Sequence, residues 1–136
     1  MKFQPDTLAG VNAITRQEPG RIWVGPAPYS HSLLVPWSGA VLAWAPQAFD
    51  QLDAAAFEQL LALRPELVIF GSGERLRFAA PALMRSLIAR RIGVETMDTP
   101  AACRTYNVLV SEGRQVVAAL LIEAPSAPLE RPLAAA

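Results

Sequence analysis

The sequence carries one cysteine, Cys103, one helical turn before Asn107 in a stretch that favours a helix. Thr99 and Pro100 precede this pair, and both residue types are common at helix starts. The helix dipole favours a thiolate in the first turn, so Cys103 with Asn107 beside it could form a reactive-thiol site. The alternative is a buried and inert thiol, which is the common state of a free cysteine.

The helix that carries Cys103 has a polar and an apolar side when it is wound at ~100° per residue. Arg104 points away from the core on this winding. Cys103 lies at the edge of an apolar stripe, with Asn107 close to it. The stripe itself consists of Ala102, Tyr106, Leu109 and Val110. We therefore expect the stripe to pack inward while Arg104 faces solvent.

A second candidate is the turn Gly71-Ser72-Gly73, which follows the apolar run of residues 67–70. In α/β folds, ligands bind where strands end in such turns. Leu76 stands where a dinucleotide fingerprint needs a further glycine, and no Gly-Lys-Ser/Thr follows as in a P-loop. Ser72 also lacks the Gly-x-Ser-x-Gly context of a hydrolase nucleophile. The alternative is that the glycines allow close packing and a positive φ at the strand end.

Two carboxyl groups, those of Glu95 and Asp98, flank the end of a later strand, beside the start of the Thr99 helix. They could form an acid/base pair, although an acidic residue at a helix start also stabilises the helix dipole. With His31 as its one histidine, the sequence predicts no metal site and no cofactor. The candidate ligand or partner site consists of Gly71, Ser72, Gly73, Glu95, Thr99, Cys103, Arg104 and Asn107.

The N-terminal elements are predicted to be strands. Residues 11–16 and 22–24 flank a turn signal that contains Pro19 and Gly20, which predicts a β-hairpin. Gly25 and Pro26 are expected to end the hairpin. Residues 29–35 and 40–44 are predicted to form two further strands.

The remaining elements alternate between helix and strand. Asp53 is predicted to cap a helix over residues 54–63, which precedes the buried strand over residues 67–70. A second helix is predicted to begin at Pro81, and residues 94–97 are predicted to form the next strand. The second helix is expected to turn four side chains inward, namely those of Leu83, Met84, Leu87 and Ile88.

The third helix is predicted to have Thr99 as its N-cap, Pro100 as its first residue and Gly113 just past its end. A last strand over residues 115–122 follows. The element order predicts an α/β fold of three layers, in which helices pack on a mixed central β-sheet and the N-terminal β-hairpin adds antiparallel pairing. Residues 1–123 are expected to form a single domain, and the Ala/Pro-rich residues 124–136 a loose C-terminal tail.

Composition narrows the classes of function. Of 136 residues, 52% are hydrophobic and 18% are charged. The charged fraction is below the ~25% of typical soluble proteins, which is consistent with an apolar surface that meets a partner protein or a second copy of the chain. The alternative is that the many alanines alone raise the hydrophobic fraction. Twelve basic and twelve acidic residues cancel, which disfavours nucleic-acid binding.

Targeting peptides and membrane-spanning segments in a sequence indicate where the protein is located. The first residues lack the apolar segment of a signal peptide and the basic, serine-rich character of a transit peptide. No window approaches the ~18–20 apolar residues that span a bilayer. We therefore expect a cytoplasmic protein with no direct membrane insertion.

Four stretches of the sequence, residues 67–73, 93–99, 102–109 and 112–114, together resemble the Mth-type domain family, whose function is largely unknown. The specific part of the resemblance is Asp98-Thr99 followed by Ala102-Cys103 and Thr105-Tyr106-Asn107. The family includes a mitochondrial complex I assembly factor and an adipogenesis-associated protein. The resemblance implies a three-layer α/β domain of a bacterial protein, a role in assembly through protein contacts, and no catalytic residues to transfer.

Two hypotheses about function follow. The first is a non-enzymatic domain that acts through protein–protein contact, with any exposed residue among Trp23, Trp37 and Trp44 as an anchor. The second is a small-molecule or anion-binding protein, or an enzyme, that uses a cleft between the Gly71-Ser72-Gly73 turn and the Thr99 helix start.

Overall fold

The N-terminal strands form a three-stranded antiparallel sheet in the computed structural model, which describes residues 10–123. Strand β1 (Ile14–Glu18) pairs with β2 (Arg21–Val24), and β2 pairs with β3 (Ala27–Tyr29). The predicted hairpin is confirmed. Gly25, at φ 57°, does not end the pairing as expected but forms a second tight turn, because glycine accepts this left-handed conformation.

The predicted strand over residues 29–35 is wrong, since the chain changes sheets within it. Tyr29 ends β3, and β4 (Leu33–Pro36) belongs to the central sheet. Ser32 lies at the crossing, where its buried hydroxyl accepts a hydrogen bond from the backbone N–H of Ile122 at 2.9 Å. An alternating sequence pattern does not reveal such a crossing, because it continues unchanged from one sheet into the next.

The central sheet has five strands in the order β5-β4-β8-β6-β7. Strand β4 is antiparallel to its neighbours β5 (Leu42–Ala43) and β8 (Val116–Leu120). Strand β6 (Leu67–Gly71) is parallel both to β8 and to β7 (Gly93–Met97). The sheet is therefore mixed, as predicted, and the last strand of the described chain lies at its centre.

Helices cover both faces of this sheet. Helix α3 (Thr99–Ser111) and the small sheet pack on the face formed by Val116, Ala118 and Leu120. Helices α1 (Ala54–Glu58) and α2 (Arg85–Ala89) pack on the opposite face, formed by Val117 and Ala119. The prediction of a three-layer α/β fold is confirmed.

Short helices on the α1–α2 face are extended by 3₁₀ turns. Asp53 caps α1 as predicted, since its Oδ1 accepts the N–H of Ala56 at 2.9 Å. Helix α1 continues as a 3₁₀ turn over Gln59–Leu63 and ends at Arg64, because Pro65 disfavours the helical conformation of the residue before it. Ile88, expected to face inward, is 59% exposed. With only five residues, α2 buries Leu87 and turns Ile88 to solvent.

Helix α3 begins one residue earlier than predicted. Asp98 is the N-cap, and its Oδ1 accepts the N–H of Ala101 at 2.8 Å. The prediction that Thr99 caps the helix is wrong, because Asp98 performs this role and leaves the Thr99 hydroxyl free for the neighbouring strands. Gly113, at φ 83°, follows the end of the helix as predicted.

Candidate functional site

The glycine turn (Gly71, Ser72 and Gly73) and Thr99 meet directly, as the chain order led us to expect. The Thr99 Oγ1 accepts the N–H of Gly73 and donates to the carbonyl of Leu121, both at 2.9 Å. The Thr99 N–H donates to the carbonyl of Gly73 at 2.7 Å. Thr99 is only 4% exposed, so its side chain is buried between the glycine turn and the residue that follows β8.

Gly71 lies against the first turn of α3. A Cβ atom at this position would stand 3.0 Å from both Cα and Oγ1 of Thr99 and 3.1 Å from Cβ of Ala102. Such distances are shorter than ordinary van der Waals contacts, so only glycine allows the strand and the helix to approach this closely. At Gly71 the structure therefore favours the alternative that glycine allows close packing at the end of the strand.

Arg77 and Glu123 complete the surroundings of the glycine turn. The Arg77 Nη2 donates to the carbonyl of Ser72 at 2.8 Å and to Oε1 of Glu123 at 2.6 Å. The Glu123 Oε2 accepts the N–H of Phe49 at 3.0 Å, and the Arg77 guanidinium lies 4.7 Å from the centre of the Phe49 ring. This network links the loop after β6 to the end of β8. Sequence reasoning missed it, since the two residues stand far apart in the chain with no pattern joining them.

Cys103 is buried where α3 faces β1. Burial raises the pKa of its thiol to about 12, and the adjacent Arg104 guanidinium opposes this change only in part. The thiol is therefore protonated at neutral pH. A protonated and buried thiol is a poor nucleophile, which favours the inert alternative over the reactive-thiol site.

We expect Cys103 to react with a thiol reagent such as Ellman's reagent at least about a hundredfold more slowly in the folded chain than in the denatured chain. The thiol ionises near pH 9.0 when exposed and near pH 12 when folded. Stability from this group is thus complete below pH 9.0 and is lost as pH rises toward 12. Stopped-flow labelling and urea titrations at several pH values measure both effects. A Cys103→Ser variant gives the background, and equal rates in both states would contradict the assignment.

Asn107 ties α3 to the start of β1. Its Oδ1 accepts the N–H of Ile14 at 2.9 Å, and its Nδ2 donates to the carbonyl of the same residue at 2.7 Å. The amide thus pairs with both backbone groups of Ile14, as a neighbouring strand would. The preceding residue of α3 is Tyr106, and its hydroxyl lies 2.9 Å from the carbonyl oxygens of both Asn12 and Pro36. Tyr106 and Asn107 thus hold the segment from Asn12 to Ile14 against α3.

Two shallow hollows lie along the contact of α3 with β1. One of about 250 Å³ lies at the start of the helix, where Cys103, exposed Arg104 and Asn107 contribute to its lining. The other, of about 370 Å³, lies at its end and is lined in part by Val110 and Ser111. Three of the eight candidate residues therefore meet at a surface that is separate from the glycine turn.

Glu95 joins neither the glycine turn nor the surface formed by Cys103, Arg104 and Asn107. It is exposed on β7, where it pairs in register with Ile69 of β6. Asp98 is engaged as the cap of α3, so the two carboxyl groups do not share a role at the helix start. Within residues 10–123, no group of three or more His, Cys, Asp or Glu side chains could hold a metal ion.

The tryptophans are not free anchors. Trp44 is fully buried beside Phe57 and Phe70, and its Nε1 donates to the carbonyl of Ala56 at 3.0 Å. Trp23 and Trp37 are half-buried. Among residues 10–123, the exposed large apolar side chains belong instead to Leu76, Phe78, Ile88 and Val108.

An apolar surface that sequence reasoning missed lies between α2 and β7. A hollow of about 380 Å³ is lined by Met84, Ile88, Arg91, Ile92, Gly93 and Val94. We call this the α2–β7 surface. The only sequence signal was the run of apolar residues in and after α2, and it was interpreted as core. No helix of residues 10–123 has the length and apolar character needed to cross a bilayer.

Comparison with known proteins identifies relatives over most of the chain. A family described as "Protein of unknown function (DUF498/DUF598)" matches residues 14–121. An uncharacterised protein from Rhodobacter capsulatus is 34% identical over 120 residues, which are 84% of this chain and 87% of that protein. A solution structure of a Bordetella pertussis protein, described as a Mth938-like domain, has a TM-score of 0.80 and 32% identity, and the match covers 93% of this chain and 96% of that one.

Another relative, which matches a shorter stretch of the chain, is named for a role. The protein named NADH dehydrogenase [ubiquinone] 1 alpha subcomplex assembly factor 3 from Bos taurus is 37% identical over 84 residues, which are 60% of this chain and 46% of the assembly factor. The chain thus spans about half the length of this curated relative.

Proposed function

The chain belongs to the DUF498/DUF598 family of proteins of unknown function, as the resemblance to Mth-type domains predicted, and we propose that it is a non-enzymatic protein-contact domain. It acts in the cytoplasm in the assembly of a larger complex. The name of the bovine relative supports NADH dehydrogenase as the complex to test first.

The exposed apolar side chains carry this proposal. Phe78 is 71% exposed and Leu76 51% exposed on the segment between β6 and α2, and Ile88 is 59% exposed on α2 itself. Full burial of one such side chain contributes ~1.5–3 kcal/mol. The buried core of a protein interface is more apolar than the rest of the surface and is enriched in aromatic residues such as phenylalanine. Docking of a partner would remove them from water.

The state of the candidate reactive groups also supports a contact role. Burial keeps the Cys103 thiol protonated at neutral pH. The Ser72 hydroxyl donates to the carbonyl of Arg75 at 2.8 Å and accepts the N–H of Arg77 at 2.9 Å. Thr99 and Asn107 are likewise engaged with backbone groups. These residues serve the fold.

We expect deletion of the gene to lower the amount of assembled NADH dehydrogenase, and wild-type protein to restore it. Phe78→Ser/Ile88→Ser should fail to restore assembly, because it removes the apolar contact surface. Native gel electrophoresis of solubilised membranes measures the assembled complex and its subcomplexes.

The matched control is Val108→Ser, which removes a side chain of similar exposure, 55%, from α3. It should restore assembly. Unchanged assembly in the deletion strain would refute the choice of NADH dehydrogenase. Failure to recover any stoichiometric protein complex of the chain, by light scattering of native extracts after size exclusion, would refute the contact role itself.

A further inference from the structure

The α2–β7 surface combines an open strand edge, an apolar hollow and unpaired positive charge. We propose that it binds an extended segment of a partner protein, which adds a strand to β7 and places an apolar side chain in the hollow. Carboxylates of the same segment face Arg85 of α2 and the two arginines that follow the helix, Arg90 and Arg91. This inference rests on the proposed contact role and names the chemistry of the partner.

The strand edge is the first observation. Strand β7 ends the sheet and has β6 as its one neighbour in the described chain. Alternate backbone groups of an edge strand point away from the sheet and can pair with a further strand. The strand at the other end, β5, has two residues, whereas β7 has five. Strand β7 is therefore the edge that offers length for addition.

The hollow is the second observation. Its lining includes Gly93 and Val94 of β7 itself, together with Met84 and Ile88. On one face of a sheet, side chains of paired strands stand next to each other. A strand added to β7 would therefore place a side chain beside Val94 and over the hollow.

The positive charge at the α2–β7 surface indicates the chemistry of the partner. Arg85, Arg90 and Arg91 are exposed, and none of them forms an ion pair with another described residue. Helix α2 has no acidic residue of its own. Glu95 stands next to Val94 along β7 and so points to the opposite face of the sheet. A segment with aspartate or glutamate beside its apolar residue complements this surface.

Two other occupants fit less well. A second copy of the chain, paired symmetrically through β7, would bring the arginines of both copies toward one another. An anionic membrane surface would attract the arginines but supplies no strand to pair with β7. A partner protein satisfies the backbone edge, the hollow and the charges together.

The test is amide hydrogen exchange of the purified full-length chain, alone and in the complex recovered from native extracts. We expect exchange of β7 amides to slow at least about tenfold in the complex. Exchange at the edge strand β3 should be unchanged. A complex in which β7 exchanges as in the free chain overturns this inference alone, and absence of any complex overturns the proposed function with it.

Charge-reversal variants test the partner's chemistry. Arg85→Glu/Arg90→Glu should weaken the complex at least about tenfold at low salt, because it opposes the partner's carboxylates. The control Arg21→Glu/Arg114→Glu changes net charge equally on other surfaces and should leave affinity within about twofold. Equal weakening by both variants would overturn the assignment.

The other occupants are tested on the isolated chain. Slowed β7 exchange with dimer formation at high concentration would assign the surface to a second copy. Cosedimentation with phosphatidylcholine–phosphatidylglycerol vesicles, lost in Ile88→Ser, would assign it to a membrane. We expect a monomer that stays in the supernatant, and either alternative result overturns the inference.

Discussion

Replacing Thr99 by valine is expected to lower the free energy of unfolding by about 3 kcal/mol. The hydroxyl joins the N–H of Gly73 to the carbonyl of Leu121, each at 2.9 Å, in a site where Thr99 is 4% exposed. Valine keeps the shape of the side chain but leaves both backbone groups without this partner. Each unsatisfied buried group costs about 1–3 kcal/mol. Urea denaturation followed by circular dichroism measures the loss.

Two control variants separate this role from helix capping. Thr99→Ser keeps the hydroxyl and loses one methyl group, so it should lower the free energy of unfolding by only ~1 kcal/mol. Asp98→Ala removes the cap of α3 and should also cost about 1 kcal/mol. If Thr99 were the cap, Thr99→Val would lower the free energy of unfolding by no more than the loss of a cap does. Asp98→Ala would then leave the free energy of unfolding almost unchanged. That pattern would contradict the structure.

Local signals account for the part of the fold that was predictable from sequence. Asp53 precedes a run of helix formers, and Gly113 follows another, so cap and stop signals lie within a few residues of the elements they define. The apolar runs of β6 and β8 are buried on both faces, as continuous hydrophobicity indicates. Turn residues likewise revealed the N-terminal hairpin.

Features of the fold that depend on contacts between residues far apart in the sequence were not predictable. At the start of α3, Asp98 and Thr99 are both good caps, and the decision depends on Gly73 and Leu121, which meet Thr99 only in the fold. Ile88 fits an inward helical pattern, but α2 is too short for periodicity to fix its face. Local propensity does not contain this information.

The candidate site was predicted in part. Chain order correctly placed the glycine turn beside Thr99, because the ends of neighbouring parallel strands meet at one edge of the sheet. It did not show that Cys103, Arg104 and Asn107 would face β1 instead of that edge. The α2–β7 surface depends on which strand ends the sheet, and strand order is a property of the whole chain.

Gly71→Ala is expected to lower the free energy of unfolding by about 2 kcal/mol. The added Cβ would stand 3.0 Å from the backbone Cα of Thr99, so β6 and α3 must move apart, and this strains the hydrogen bonds between Thr99 and Gly73. Gly93→Ala is the matched control, since Gly93 lies in the neighbouring strand and its Cβ would meet only the flexible Leu67 Cδ1 at 3.3 Å. It should change stability by less than ~0.5 kcal/mol, because alanine's gain in backbone entropy offsets a small displacement of Leu67. Thermal and urea unfolding of both variants measure the difference. Equal effects would mean that the two glycines act through strand propensity alone, and the close approach of α3 to β6 would then not require a glycine.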